Sequence, residues 1–179
     1  SPLFARLANE SSLLDITATA EPIRNIFDSA FSLLKRKNYR HEYIYKAAIA
    51  HKVILGTHSL QTAVMVNEFR VGENKADSVI FNGTSTVYEI KSERDSLTRV
   101  AKQVSSYRKV FAKINIITGE NHLDAVLASV PQDVGVLLLT DRFQISTIQE
   151  AVDSPNRTMP EAIFDSIQLR EAKKILKNM

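Results

Sequence analysis

Cysteine is missing altogether from the 179-residue chain. Its absence rules out disulfides, thiolate metal sites and a cysteine nucleophile, and it suits a reducing compartment. Glycine is scarce as well: five residues are scattered along the chain, and none forms a phosphate-cradling loop. The longest apolar run, 134–139, is broken by Gly135 and is far too short to span a bilayer. No positively charged, apolar-cored leader opens the sequence, so the expectation is a cytoplasmic protein with no membrane partner. His41, His51, His58 and His122 show no metal-ligand spacing, and no histidine base is expected among them.

What is present is enough for a real core. Hydrophobic residues make up 44% of the chain, and the length fits one compact domain, 1–179. The net charge of +3 is modest but unevenly spread. Residues 35–46 hold five Lys/Arg against one acid, and residues 91–113 hold seven against two. Together these windows carry +9, so the remainder carries −6. Solvated helix faces would account for such windows, and so would a polyanion gripped on two sides.

The order of elements can be read from periodicity. Ile23, Ile26, Phe27, Ala30, Phe31 and Leu34 recur at helical spacing after Pro22, which a first helical turn tolerates. A second helix is expected over 40–55 with Gly56 as its stop, then a strand over 63–71 and a turn at 72–74. A helix over 96–111 carries the stripe Leu97, Val100, Val104, Tyr107 and Phe111. A buried strand over 114–118 comes next, then a helix over 121–130 capped by Asn121, strands over 134–140 and 143–148, and a last amphipathic helix from Met159-Pro160. That series is a mixed sheet flanked by helices.

Between the first strand and the third helix lies the stretch 75–91, KADSVIFNGTSTVYEIK. Two short apolar strands joined at Asn82-Gly83 make a hairpin. Asp77 opens the first strand, and Glu89-Ile90-Lys91 closes the second. The opening of one antiparallel strand lies beside the end of the next, and side chains alternate with period two. The fold would therefore bring Asp77, Glu89 and Lys91 together at one end of a sheet. The plainer alternative is an exposed ion pair of Lys91 with either acid.

These residues resemble the PD-(D/E)XK nuclease superfamily, whose restriction-endonuclease-like fold has an αβββαβ core. The resemblance covers about 40–118, leaving 1–39 as an N-terminal helical extension and 119–179 as a C-terminal α/β extension. The proline that usually precedes the first acid is Ala76 here. Many members place a metal-linked glutamate on the first helix, a slot that Glu42 in RHEYIYKAAI occupies. Gln103-Val-Ser-Ser-Tyr107 matches the Gln-x-x-x-Tyr of RecB-type members. The run 68–97 is also similar to small uncharacterised bacterial and phage members.

The resemblance implies a metal-dependent nuclease hydrolysing phosphodiester bonds of DNA, with Mg2+ or Mn2+ as cofactor. It implies Asp77, Glu89, Lys91, Glu42, Gln103 and Tyr107 as catalytic positions. Asp77, Glu89, the Ile90 carbonyl and Glu42 would ligate the ion. Lys91 would orient the nucleophile or neutralise charge developing on the phosphate. Glu68 reads equally as a further acid of the site or as a partner for Arg70 or Lys75. Arg94, Arg99, Lys102 and Arg108 are candidate backbone contacts by charge and position alone. The alternative is a nuclease-fold module that binds nucleic acid or a protein partner without turnover. A homodimer is an open expectation.

Overall fold

The computed structural model describes residues 23–36, 39–54 and 62–178. Pro22, the expected helix stop at Leu55 and Gly56, and His58 lie outside the described residues. The chain divides into two compact units, Ser1–Arg40 and His41–Met179. In the first, Ile23–Leu34 form helix α1. It closes in a turn in which the Lys35 N–H donates to Phe31 O at 3.0 Å and the Arg36 N–H to Leu33 O at 3.0 Å.

The second unit is a mixed α/β structure. Its six-stranded sheet comprises β1 (Val64–Val71), β2 (Asn74–Phe81), β3 (Ser85–Lys91), β4 (Lys113–Thr118), β5 (Gly135–Leu139) and β6 (Ile145–Gln149). Their order across the sheet is their order along the chain. β1, β2 and β3 pair antiparallel, β3–β4 and β4–β5 parallel, and β5–β6 antiparallel. A parallel step needs a crossover, and each has its helix: α3 (Val100–Tyr107) before β4 and α4 (Leu123–Ser129) before β5. Helix α2 (Glu42–Ala48) precedes β1, while α5 (Pro160–Ser166) and α6 (Leu169–Asn178) come after β6.

The two hairpins rest on glycine. Gly72 at φ 57 and Gly83 at φ 92 take the left-handed conformations that tight strand connections demand. β4, KINIIT, lies in the interior of the sheet and is apolar on both faces, with Ile114, Ile116 and Ile117 fully buried. β1 and β6 form the edges and are correspondingly more exposed. The stripe of α3 packs into the core as its spacing predicts: Val100, Val104 and Tyr107, with Phe111 beyond the helix, meet Val79, Val87, Ile114 and Ile116. Phe111 lies edge-on to Phe69 of β1 at 5.6 Å and to Tyr107 at 6.1 Å.

Several expected elements are altered by local hydrogen bonding. The helix expected over 96–111 starts at Val100, because Ser92 donates its N–H and hydroxyl to Asp95 Oδ2 and holds a turn instead. The helix expected over 40–55 keeps α geometry through Ala48 and widens to a π-helix at Ile49–Ile54. Asn121 lies within a 3-10 turn, Glu120–His122, rather than capping a helix. The last helix breaks at Ile167, which is extended. There Ser166 Oγ donates to Ile163 O at 2.6 Å, and the Gln168 N–H donates to Glu171 Oε2 at 3.2 Å, capping the two pieces separately. Its apolar residues face outward more than expected, with Phe164, Leu169 and Leu176 exposed. β6 starts at Ile145, since Phe143 at φ 57 and Gln144 belong to the turn from Thr140.

Candidate metal centre

The hairpin register builds the site. The β2–β3 ladder runs from Phe81↔Ser85 to Ser78↔Tyr88 and stops one residue short of Asp77 and Glu89. In place of a further rung, Asp77 Oδ2 accepts the N–H of Ile90 at 2.7 Å. The Ile90 amide is thus what meets Asp77.

Glu89 and Lys91 point the same way and are both buried, at 2% and 4% exposure. An ion pair there is costly unless further hydrogen bonds support it, and here they do. Glu89 Oε1 accepts from Lys91 Nζ at 2.8 Å and from Gln103 Nε2, while Oε2 accepts from Tyr107 OH at 2.6 Å. Lys91 donates in turn to Gln103 Oε1 at 3.0 Å. Four residues separate Gln103 from Tyr107, so one helical face presents both to the same carboxylate. Burial, together with the charge and hydrogen bond of Glu89, pushes the Tyr107 hydroxyl well above its usual range, so it stays a donor.

A cluster of acids in the same cleft comprises Glu42, Glu68 and Asp77. Glu42 stands in the first turn of α2. Glu68 sits in β1 opposite Asp77, where the pairing skips from Asn67↔Ser78 to Phe69↔Ala76. Its backbone is left-handed at φ 58, a strained choice for a non-glycine residue. One carboxylate oxygen from each of Glu42, Glu68 and Asp77 lies within 4.8 Å of the other two. Hard carboxylate oxygens converging from separate elements suit Mg2+ or Mn2+, so the donor set fits the ion.

The electrostatics separate these acids. Burial lifts the Asp77 carboxyl to about 7, helped by the charges of Glu89 and Glu42 and opposed by the Ile90 N–H and Lys91. Hydrogen bonds from Lys46 and Lys75 hold Glu68 down at about 2. Lys46 is itself raised, because the carboxylates of Glu42 and Glu68 outweigh a burial that alone would lower it.

Glu42, Glu68, Asp77, Glu89, Ile90, Lys91 and Gln103 all line one polar cleft of about 320 Å³. Tyr107 lies beneath it, fully buried. Of the basic candidates, Arg99 lines the cleft and Lys102 lines a neighbouring cavity. Arg108 is bound to Asp133, which also takes Arg157 Nη1 at 2.8 Å. His51 and His122 do not line the cleft. Both readings of Glu68 apply, since it joins the acidic cluster and pairs with Lys75 at 2.9 Å. Arg70 turns instead to Gly72 O. Sequence reasoning passed over Lys46, although its i,i+4 spacing from Glu42 was a signal.

Fold and site together define a mixed α/β protein with a carboxylate-rich cleft at one end of a six-stranded sheet. Residues 35–179 match the family described as bacteriophage P4 protein cII, and the chain belongs to that family. Protein cII of Enterobacteria phage P4 is 35% identical over 80 residues, which is 44% of this chain and 30% of that protein. The match thus spans less than a third of the curated relative. A solved structure of a protein of unknown function from Silicibacter pomeroyi aligns at TM-score 0.45 and 18% identity, covering 66% of this chain and 77% of that one.

Proposed function

We propose that this chain is a metal-dependent nuclease of the PD-(D/E)XK type acting on DNA. The observation that carries the reading is the convergence of Glu42, Glu68 and Asp77 within 4.8 Å, in the cleft that Lys91 also lines. The element order α2-β1-β2-β3-α3-β4 supports a restriction-endonuclease-like core. The three acids would hold a divalent cation, whose chemistry is Lewis-acid activation of a phosphate and of its attacking water.

The remaining residues have roles of their own. Glu89 serves Lys91: with Gln103 it occupies two of the three ammonium protons and fixes the nitrogen in place. Lys91 then presents a positioned positive charge to a phosphate in the cleft. Kinship with a phage protein points to a phage-derived setting for such an enzyme.

Incubation of supercoiled plasmid and of linear single-stranded DNA with the protein and Mg2+ or Mn2+ tests the reading. Cleavage is expected, with a loss of at least about 100-fold in Asp77→Asn. No cutting by the wild type, with Mn2+ binding untouched by Asp77→Asn, would sink it.

A binding module without turnover is the second reading. It is favoured by Lys46 and Lys75, which give the acidic cluster counter-charges of its own. Salt-dependent DNA binding with no metal-dependent cutting would support that alternative.

A further inference from the structure

Two acids that line the cleft are already paired with one ammonium of the chain. Lys46 lies one helical turn after Glu42, and its Nζ stands 2.5 Å from Glu42 Oε1. The same ammonium donates to Glu68 Oε1. One nitrogen therefore bridges two of the three carboxylates that cluster within 4.8 Å. Its side chain is only 18% exposed, whereas those of Glu42 and Glu68 are 48% and 43% exposed. Asp77 stands apart: it is held by a backbone N–H rather than by an ammonium.

We propose that Lys46 is a displaceable counter-cation, so that loading a divalent ion into this cleft is an exchange of cations. The inference rests on the reading of the cleft as a metal centre. Lys46 offsets part of the charge of Glu42 and Glu68, with Lys75 also on Glu68, until an ion enters. An ion drawing on the same oxygens would stand within a few ångströms of Nζ, where like charges repel strongly outside bulk water. The four-carbon stem of lysine lets the ammonium swing outward. Lys75, on the other oxygen of Glu68 and 63% exposed, does not need to move.

Mn2+ titration of the full chain, read by the electron paramagnetic resonance of the free ion, tests the exchange. Lys46→Met is expected to bind Mn2+ about tenfold tighter than the wild type. Lys46→Arg, which keeps the charge, is expected to bind no tighter. Acylation of the Lys46 amine in the wild type, followed by mass spectrometry, is expected to speed up when Mn2+ is added. Unchanged or weaker affinity in Lys46→Met overturns the proposal, as does acylation indifferent to Mn2+ or an absence of Mn2+ binding in every form. If Lys46→Met does not fold, the acylation result on the wild type decides. Tighter Mn2+ binding with no DNA cleavage in any form leaves the exchange standing and removes the nuclease reading.

Discussion

A half-buried carboxyl beside other carboxyls gives up its proton late, and Asp77 carries that delay into the stability of the fold. The folded protein keeps this proton up to about pH 7, whereas an unfolded chain releases it near the ordinary value of 3.8. Between those values the native state binds more protons, so stability falls as pH rises through the window and levels off above it. Urea unfolding should therefore show Asp77→Asn matching the wild type near pH 4 and exceeding it at pH 8, by up to roughly 4 kcal/mol. A slope of the opposite sign would contradict the assignment. Tyr107→Phe removes one donor from the buried Glu89 carboxylate and should cost about 1–3 kcal/mol in the same assay. That Asp77, Glu89 and Lys91 share one cleft was legible, since strand period and turn length dictate it. Gln103 and Tyr107 were singled out by the resemblance to a RecB-type Gln-x-x-x-Tyr, and their four-residue spacing placed them on one helical face. The full convergence at Glu68 was not, because a left-handed backbone in mid-strand leaves no trace in local composition.

Among the elements, β4 and β5 come close at Gly135. Asn115 pairs with Gly135, and a Cβ at Gly135 would collide with Asn115 Oδ1 and Ala151. Gly135→Ala should destabilise by about 1–3 kcal/mol, read as a lowered melting temperature, and Asn115→Ala in the same chain should recover part of the loss. If Gly135→Ala melts with the wild type, the close approach is not what requires glycine there. From pattern alone Gly135 was only the interruption in an apolar run. Its steric role depends on a neighbour on the preceding strand, Asn115. Helix α3 was readable from its period, and β4 and β5 from short apolar runs. The breaks at Ser92–Asp95 and Ile167 were not, because a pair of side-chain hydrogen bonds holds each.

At the scale of the molecule, the sheet runs in chain order from edge to edge, and the stretch beyond 119 supplies two of its strands rather than an appendage. Among the described residues, no helix is long and apolar enough to cross a membrane. The acids of the cleft are mounted unequally on this frame. Asp77 and Glu89 ride on strands clamped by neighbours on both sides, while Glu68 rides on β1, which has one neighbour. The interval from Asn67 to Phe69 can shift at the expense of a single ladder, and it is already out of regular pairing. The cleft thus has one stiff wall and one compliant wall. Were the proposed ion to enter, Glu68 on this single-ladder edge is the strand-borne acid expected to adjust to its radius.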